Sequence, residues 1–456
     1  MTLRFGTDGV RGVANSELTP ELVVAFGRAA GAVLGGPRFL VGRDTRRSGA
    51  LLQAALSAGL MSEGIDVVDL GVIPTPGVAA RSAESGMPAA VVSASHNPFP
   101  DNGIKLFGGG GRKLEEELEE RIELRAAELL PVPGRAAQPA GGAVPVVGSG
   151  VGTTVTDGEV LAWYRARLVE ALGGRGLDGL AVALDCANGA ASAVAPEVFG
   201  AGGARVVATL AAVPDGTNIN DRCGSTDPAG LVAAVRSEGA DLGLAFDGDA
   251  DRVIAVDGTG RIVDGDRLLA LFALDLRSRG LLADDTVAVT VMTNLGFHRA
   301  MGAAGIAVHT TDVGDRNVLA ALDAHGWSLG GEQSGHIVFR DLATTGDGVL
   351  SGLLLADLLV RAGRPLGALA GEAMDSFPQV LRNVAVSDRA GLPDAPAVWE
   401  EVAAVESDLG GDGRVLLRPS GTEPLVRVMV EASTEQAASS AADRLEAAVR
   451  RALPVA

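Results

Sequence analysis

Phe39-Leu-Val-Gly-Arg43 and Ile65-Asp-Val-Val-Asp-Leu70 are two short apolar segments separated by a polar turn, an apolar helical pattern and a glycine. A strand, a helix and a second apolar strand form a βαβ unit, whose strands are parallel and buried on both faces. The stretch from Arg38 to Leu70 therefore predicts a parallel β-sheet covered by helices.

The same pattern occurs twice more along the chain. Leu180–Leu210 contains Ala181-Val-Ala-Leu-Asp185 and Ala204-Arg-Val-Val-Ala-Thr209, and Thr286–Thr311 again places a helical pattern between two apolar segments. The copies are more than 100 residues apart, so they indicate separate, similar domains and not the short period of a solenoid.

The last segment has a different rhythm. Strand patterns at Gln379–Val386, Arg414–Leu417 and Leu425–Val430 precede an amphipathic helix at Thr434–Leu453. Strands followed by a closing helix are typical of an α+β domain. The predicted fold class is therefore α/β, with three similar mixed α/β domains containing largely parallel sheets, plus a C-terminal α+β domain.

Composition suggests where these domains meet. Pro131–Thr154 is rich in Pro, Gly, Ala and Ser and is interpreted as a linker, Val256–Gly260 as a turn between domains, and Gly363–Gly371 as the entry to the last domain. The expected domains are residues 1–152, 153–255, 256–368 and 369–456.

Bulk properties exclude several classes of partner. The 456 residues are 47 % hydrophobic and 21 % charged, with a net charge of −19. This acidic globular chain is a poor partner for nucleic acid or anionic membranes. The N-terminus has no apolar signal segment, and no stretch is long and apolar enough to predict a transmembrane helix. The two isolated cysteines suit a reducing compartment. We expect a cytoplasmic protein.

A serine and a histidine end an apolar run in the first predicted domain, which reads Val91-Val-Ser-Ala-Ser-His-Asn-Pro98. Asn-Pro turns the chain, so Ser95 is expected at the carboxyl end of a strand, where open α/β sheets bind ligands. His96 could move a proton or contact an anion. A turn whose hydroxyls bond the backbone explains the same residues, and Ser93 is the competing hydroxyl.

Three aspartates follow an apolar run in the second predicted domain: Asp247, Asp249 and Asp251. In extended backbone these positions point to one side, so their carboxylates converge and repel one another unless a cation lies between them. Mg²⁺, completed by phosphate and water oxygens, suits such a donor set. A calcium loop of the EF-hand type is excluded, because Arg252 and Gly258 occupy its glycine and glutamate positions. A solvated acidic turn is the remaining alternative.

The serine motif and the aspartate motif together indicate a specific chemistry. If the fold brings Ser95 next to the aspartates, a serine hydroxyl lies beside a hard divalent cation, which is what a phosphoryl-carrying serine needs.

An anion-binding loop is predicted at Arg418-Pro-Ser-Gly-Thr-Glu-Pro424. Arg418 offers a bidentate fork, Ser420 and Thr422 offer hydroxyls, and Gly421 allows backbone N–H groups to approach an anion. A simple hairpin turn is the alternative.

A second polar loop reads Gly330-Gly-Glu-Gln-Ser-Gly-His336. Glu332, Ser334 and His336 stand at alternating positions between glycines. A carboxylate beside a hydroxyl suits the vicinal hydroxyls of a sugar, although an ordinary polar loop is an equal alternative.

Basic residues are unevenly distributed. Lys105 and Lys113 are the only lysines beside 36 arginines. Burial can tune a lysine but not an arginine, so Lys105 is a candidate for chemistry, whereas Lys113 is interpreted as solvated at the start of a helix. Arg11, in Phe5-Gly-Thr-Asp-Gly-Val-Arg-Gly12, could reach an anion, with a structural salt bridge as the alternative.

Taken in order from Phe5 to Pro424, these five motifs resemble the α-D-phosphohexomutase superfamily, and within it the bacterial phosphoglucosamine mutases. The loop that contains Gln333 resembles the glucosamine branch of the superfamily, because phosphomannomutase and phosphoglucomutase relatives more often carry Met at that position. The resemblance covers essentially the whole chain. It implies four domains around a central cleft, with one motif from each domain.

The resemblance also implies a role for each motif. Ser95 would carry the transferable phosphate, which would complete the Mg²⁺ shell of Asp247, Asp249 and Asp251. Lys105 and Arg252 would lie near the reacting phosphate. Glu332 and Ser334 would recognise the sugar, and His336 would lie near its reacting end. The non-reacting phosphate would be bound by Arg418, Ser420, Gly421 and Thr422.

The implied reaction is the reversible conversion of glucosamine 6-phosphate to glucosamine 1-phosphate through phosphoserine and a sugar bisphosphate. It would use one Mg²⁺ per site and a sugar 1,6-bisphosphate as the phosphate source for Ser95. The partner would be a hexosamine phosphate, and a homodimer stays open. Three alternatives remain: phosphoglucomutase or phosphomannomutase activity, an aspartyl-phosphate phosphatase using the Asp-x-Asp of Phe246-Asp-Gly-Asp249, and a non-catalytic sugar-phosphate-binding protein.

Overall fold

The computed structural model describes residues 4–6, 8–130, 146–420 and 423–453. Within these ranges four β-sheets follow one another along the chain. Contacts divide the chain into two compact units. The first runs to Val291 and includes Ala307–Ala370, and the second comprises Met292–Ile306 and the chain from Gly371 onward.

The first sheet has six strands in the order β1-β5-β4-β2-β3-β6. The central strand β2 is parallel to β3 and β4, while β5 is antiparallel to β4 and to β1. Apolar clusters that include Phe26 and Val78 pack against it. Its elements are β1 (Val10–Val13), α1 (Pro20–Leu34), β2 (Arg38–Arg43), α2 (Gly49–Ser62), β3 (Asp66–Val72), α3 (Thr75–Ser85), β4 (Ala89–Val92), β5 (Asp101–Phe107), α4 (Glu116–Leu129) and β6 (Thr154–Thr156).

The second sheet has five strands in the order β11-β10-β9-β7-β8. Here β7 is the central strand, parallel to β8 and β9, and β10 is antiparallel to β9. Its elements are α5 (Val160–Glu170), β7 (Ala181–Asp185), α6 (Ala195–Ala201), β8 (Arg205–Leu210), α7 (Ala229–Glu238), β9 (Leu242–Phe246), β10 (Val253–Asp257) and β11 (Ile262–Val263).

The third sheet has four strands in the order β13-β12-β14-β15, with β12 parallel to both neighbours and β15 antiparallel to β14. The helix between β12 and β13 lies within Met292–Ile306 and thus in the second unit. The elements are α8 (Gly265–Ser278), β12 (Thr286–Thr290), α9 (Leu295–Ala303), β13 (Ala307–Thr311), α10 (Asp315–His325), β14 (Leu329–Gly331), β15 (Ile337–Phe339), α11 (Gly348–Ala362) and α12 (Leu366–Ala373).

The fourth sheet lies in the second unit and is entirely antiparallel, in the order β16-β18-β17. The amphipathic helix α14 begins after Thr434, whose hydroxyl accepts a hydrogen bond from the N–H of Ala437, and it buries Leu445 and Val449 in the core of this unit. The elements are β16 (Gln379–Ala385), α13 (Pro396–Leu409), β17 (Gly413–Pro419), β18 (Leu425–Ala432) and α14 (Glu435–Ala452).

One strand order is common to the first three sheets. A central strand has a parallel neighbour on each side, and a fourth strand returns antiparallel along the third: β3-β2-β4-β5, β8-β7-β9-β10 and β13-β12-β14-β15. The predicted α/β class, the three repeated βαβ units and the different C-terminal domain are therefore confirmed.

The domain boundaries stay predictions, and two features of the sheets bear on them. The turn at Val256–Gly260 joins β10 to β11 within the second sheet, and β6 extends the first sheet to Thr156. Both edge strands have only two or three residues, too few for alternation to be recognised in the sequence. We propose to place these two boundaries after Thr156 and Val263. Most of the predicted linker, residues 131–145, lies outside the described residues.

No helix in the described part of the chain combines the length and the apolar character that crossing a bilayer requires.

Candidate active site

The predicted motifs of the first unit occupy equivalent positions in its three sheets. In each sheet the turn between the third and the fourth strand carries one motif: residues 93–100 (the serine turn), 247–252 (the aspartate turn) and 332–336 (the Glu332 turn). The third strand is parallel to the central strand, so each turn lies at the carboxyl edge of its sheet, where α/β folds bind ligands.

The structure brings the serine and aspartate turns into direct contact. The hydroxyl of Ser95 donates a hydrogen bond of 2.5 Å to Oδ2 of Asp247. Asp247, Asp249 and Asp251, the aspartate triad, each offer one carboxylate oxygen within 4.8 Å of the others. Ser95 and the triad are all at most 4 % exposed. The predicted juxtaposition of hydroxyl and carboxylates is thus present.

The triad has the properties of a cation site. Oδ1 of Asp249 and Oδ1 of Asp251 are buried and have no hydrogen-bond partner among the described residues. Burial, together with the charges of Asp251 and Asp249, raises the pKa of Asp247 well above its ordinary value. Buried carboxylates are stable as anions only when a positive charge compensates them. Hard oxygen donors and unused lone pairs fit a divalent cation such as Mg²⁺.

Lys105 supplies positive charge beside the triad. Its ammonium lies 2.9 Å from Asp249, 3.1 Å from Asp251 and 2.8 Å from Asp8. Burial disfavours the charged amine, but these carboxylates outweigh burial and hold the pKa of Lys105 well above its usual range. In this arrangement Lys105 is a cation and does not accept protons.

The second lysine also belongs to this network. Lys113 lies 2.6 Å from Asp8 and 2.5 Å from Asp315 and is largely buried. The interpretation of Lys113 as a solvated helix start is therefore wrong, because its charge is needed by two buried carboxylates. Burial favours a neutral Asp8, yet Lys105 and Lys113 hold the pKa of Asp8 well below its ordinary value.

Arg11, His96 and Arg252 surround the serine turn. Arg11 donates to Asp8 at 2.6 Å and to the Asn97 side chain at 3.3 Å. His96 places Nδ1 3.4 Å from the Ser95 hydroxyl. Burial, with the charges of Arg252 and Arg11, lowers the pKa of His96 to about 4, so its ring is neutral at pH 7. Nε of Arg252 is buried, lies 3.8 Å from a carboxylate oxygen of Asp251 and makes no hydrogen bond within the part of the chain that the structure describes.

The Glu332 turn is held beside the aspartate turn. The N–H of Val253 donates to the carbonyl of Gly335 at 3.0 Å, and Glu332 accepts from the N–H of Gly314 at 3.2 Å. The hydroxyl of Ser334 is buried and has no hydrogen-bond partner in the described ranges of the chain, so it has hydrogen-bonding capacity for a ligand.

His336 lies between two carboxylates. Its Nε2 is 3.6 Å from Asp315 and its Nδ1 is 3.9 Å from Asp251. Because Nε2 accepts a hydrogen bond from the N–H of Gly346 at 3.1 Å, we assign the ring proton to Nδ1, which faces the aspartate triad.

In the second unit, Arg418 lies near the end of β17 and Ser420 directly follows this strand, on the predicted anion loop, residues 418–424 (the Arg418 loop). No carboxylate of the described residues pairs with Arg418, and one of its terminal nitrogens lies 4.0 Å from the Met292 sulfur. Arg389 donates to the carbonyls of Ser420 at 2.6 Å and Glu423 at 2.9 Å. The two other predicted residues of this loop, Gly421 and Thr422, lie outside the described residues.

Sequence reasoning missed several residues of this centre. Thr75, the first residue of α3, donates from its hydroxyl to Asp249 at 2.6 Å and from its N–H to the Asp249 carbonyl at 2.9 Å. Asp8 lies within Phe5–Gly12, which the sequence had singled out for Arg11, and Lys113 was noted there but interpreted as solvated. The missed residues are Asp8, Arg46, Thr75, Lys113, Asn220 and Asp315.

Fold and site together define a class of protein: an α/β protein in which a buried serine is hydrogen-bonded to a cluster of three carboxylates that could hold a cation. Sequence models of the phosphoglucomutase/phosphomannomutase family match in order, with α/β/α domain I at residues 2–130, domain II at 166–260, domain III at 264–377 and the C-terminal domain at 381–448. The chain belongs to this family of phosphohexomutases.

Curated relatives agree over the full length. The chain is 52 % identical to the phosphoglucosamine mutase of Rhodococcus opacus (strain B4), over 98 % of both chains. It is 53 % identical to that of Frankia alni, over 100 % of this chain and 99 % of the relative.

Solved structures share the fold. A phosphoglucomutase/phosphomannomutase family protein from Burkholderia thailandensis superposes with a TM-score of 0.79 at 27 % identity, covering 98 % of this chain and 97 % of that one. The N-acetylphosphoglucosamine mutase of Aspergillus fumigatus, solved with GlcNAc-6P and magnesium, superposes with a TM-score of 0.68 at 19 % identity, covering 99 % and 96 %.

Proposed function

We propose that this protein interconverts glucosamine 6-phosphate and glucosamine 1-phosphate. The observation that carries the proposal is the hydrogen bond of 2.5 Å from Ser95 to the buried aspartate triad. The substrate is supported by the names of relatives at 52 % and 53 % identity over nearly their whole lengths, which are phosphoglucosamine mutases.

In the proposed reaction, phosphorylated Ser95 gives its phosphoryl group to the free hydroxyl of the sugar phosphate. The bond from phosphorus to the serine oxygen breaks and a bond from phosphorus to the sugar oxygen forms. The sugar hydroxyl loses its proton and the released serine oxygen gains one, so that Ser95 ends the step as a hydroxyl. The resulting bisphosphate turns over, and its other phosphoryl group returns to the Ser95 hydroxyl. A sugar 1,6-bisphosphate would supply phosphate to an enzyme whose serine is bare.

Charge neutralisation is the main task of the protein in such a transfer, because the phosphoryl group needs little covalent help. The aspartate triad would hold Mg²⁺, which would draw charge from the phosphoryl oxygens. Arg252 Nε, 3.8 Å from Asp251 and without a hydrogen bond among the described residues, could also bind an anionic oxygen. We assign Lys105 an electrostatic role and not that of a general base, because its carboxylate neighbours keep it charged. Neutral His96 can exchange hydrogen bonds with the Ser95 oxygen.

The other predicted residues would bind the substrate. We propose that Glu332 and Ser334 contact sugar hydroxyls, that His336 lies near the reacting end, and that the Arg418 loop binds the phosphate that does not react. Two substrate orientations must be accepted, so these contacts would serve roughly symmetric hydroxyls and one distal phosphate.

A side-by-side assay tests the substrate. We expect kcat/KM for glucosamine phosphate to exceed the values for glucose and mannose phosphates by at least about tenfold, a difference of about 1.4 kcal/mol. Equal or higher values for glucose or mannose phosphate would replace the proposed substrate and leave the mutase chemistry in place.

A chemical test separates this proposal from an aspartyl-phosphate phosphatase. A phosphoserine survives hydroxylamine, whereas an acyl phosphate on Asp247 is released by it. We expect ³²P from labelled glucose 1,6-bisphosphate to remain on the protein after hydroxylamine and to map to Ser95. Release of the label would favour the phosphatase, and no labelling would favour a binding protein without chemistry.

We also propose a cytoplasmic location, supported by two buried free cysteines, Cys186 and Cys223. A homodimer stays a prediction that sedimentation equilibrium would test.

A further inference from the structure

The backbone of Ser95 has an unusual conformation. Its φ of 51° lies in the left-handed region, which residues other than glycine seldom adopt. Such conformations persist where the surroundings enforce them, and they cluster at functional sites. The groups that enforce this one are identifiable.

Arg46 contacts the serine turn through nearly its whole guanidinium group. One terminal nitrogen donates to the carbonyls of Ser95 at 2.8 Å and Asn97 at 2.7 Å. The other donates to the carbonyls of Pro98 at 2.5 Å and Asp101 at 3.0 Å. The side chain is 0 % exposed, so these bonds are shielded from water.

Arg46 is also linked to the backbone N–H of Ser95 through a chain of hydrogen bonds. Nε of Arg46 donates to Asp44 at 2.9 Å, and Asp44 accepts from the Ser93 hydroxyl at 2.7 Å. That hydroxyl in turn accepts from the N–H of Ser95 at 2.9 Å. Both backbone polar groups of Ser95 are thus connected to one buried ion pair.

Asn220, from the connection between β8 and α7, adds a second contact to the same carbonyls. Its side-chain amide donates to Ser95 at 2.9 Å and to Asn97 at 3.1 Å. The aspartate turn packs on this junction, since a Cβ added to Gly248 would lie 2.6 Å from the Ser95 carbonyl oxygen and 2.9 Å from the Asn220 amide.

We propose that Arg46 and Asn220 are positioning residues that hold Ser95 in its left-handed conformation and so aim its hydroxyl at the aspartate triad. This inference rests on the proposed function. The serine loses and regains a phosphoryl group in each cycle, and its oxygen must return to the same place each time. A displacement of about 1 Å at a reacting atom can cost about 100-fold in rate.

Two substitutions of Asn220, a half-buried residue, test the role. Asn220→Asp keeps the volume and suits the left-handed φ of 57° at this position, but it directs a carboxylate at two carbonyl oxygens. Asn220→Ala removes the donor and also places an alanine in that left-handed conformation. We expect kcat to fall about 100-fold in Asn220→Asp and about tenfold in Asn220→Ala, with KM within about twofold of wild type. Asn218→Ala, which removes bonds of the same loop to Val213 and Asp215, is the matched control.

The rate of Ser95 phosphorylation by glucose 1,6-bisphosphate is the second readout, and we expect it to fall in parallel with kcat. Arg46→Lys keeps the charge but cannot reach all four carbonyls, so it should lower this rate at least as much as Asn220→Asp does. If Arg46→Lys does not fold, the comparison of Asn220→Asp with Asn220→Ala tests the inference. An Asp variant as active as the Ala variant, or losses that follow melting temperature alone, would overturn the inference. A wild-type protein that takes no phosphate at Ser95 would instead refute the proposed function itself.

Discussion

The serine and aspartate turns of the first unit differ in construction from the Arg418 loop of the second. Ser95 and Asp249 are each 0 % exposed, and each is fixed by hydrogen bonds from neighbouring elements. Arg418 is half-buried and has no carboxylate partner among the described residues. Arg389 donates hydrogen bonds to two carbonyls of the Arg418 loop.

This difference corresponds to two different tasks. Phosphoryl transfer needs reacting atoms held to within a fraction of an ångström, which requires a prearranged, buried centre. We propose that the second region binds a distal phosphate, which would arrive in either of two substrate orientations and needs charge and hydrogen-bond donors. Arg418 pairs with no carboxylate among the described residues, so its charge is available in both orientations. Substitutions in the first region should therefore lower kcat, and those in the second should mainly raise KM.

The largest expected effect is that of Ser95→Ala. Without the hydroxyl no phosphoenzyme forms, so we expect turnover to fall by about 10⁴-fold or more. Calorimetry should still detect binding of glucosamine 6-phosphate, because the sugar and distal phosphate contacts remain. Ser85→Ala, which removes a hydroxyl bonded to the Arg81 carbonyl and to the N–H of Met87, is the control. A Ser95→Ala protein with near-normal rate would refute the mechanism.

The sequence predicted Ser95 and the aspartate triad because each motif is local and stands at the end of an apolar strand. The residues that fix them could not be recognised in this way. Thr75 contacts Asp249 across 174 positions, and Asn220 contacts Ser95 across 125. Such partners carry no local pattern, since only the completed fold brings them together. The strands β6 and β11 escaped recognition because of their small length.

Gly248→Ala tests whether the aspartate turn and the serine turn are packed closely enough to affect each other. The new Cβ would lie 2.6 Å from the Ser95 carbonyl oxygen, so one of the two turns must move. We expect kcat to fall about 100-fold with little change in KM. Gly230→Ala in α7 is the control, because its Cβ meets only Leu210 at an ordinary 3.7 Å. Equal rates for both variants would mean that the turns are not closely coupled.

Arg418→Ala should produce the opposite pattern. Loss of the guanidinium removes a charge-assisted contact to the distal phosphate, so we expect KM to rise about 30-fold while kcat falls less. Steady-state kinetics measures both. Arg444→Ala, at an exposed arginine paired with Glu401 and Asp408 in the same unit, should be silent. A fall in kcat with constant KM would assign Arg418 to the reacting end.

The smallest effect is expected for Arg389→Ala. This arginine braces two carbonyls of the Arg418 loop, and loss of such partly exposed hydrogen bonds costs about 1 kcal/mol. KM should rise about fivefold, with unchanged phosphorylation of Ser95 by glucose 1,6-bisphosphate. Slower phosphorylation would contradict the division of tasks between the two regions.

The central claim is that the Ser95 phosphate and the aspartate triad bind one divalent cation. Electron–nuclear double resonance on the phosphorylated protein loaded with Mn²⁺ in place of Mg²⁺ measures this directly, through the coupling between the metal and ³¹P. We predict a strong ³¹P coupling that disappears in Ser95→Ala. Bound Mn²⁺ without ³¹P coupling, in a protein whose Ser95 is fully phosphorylated, would contradict the account.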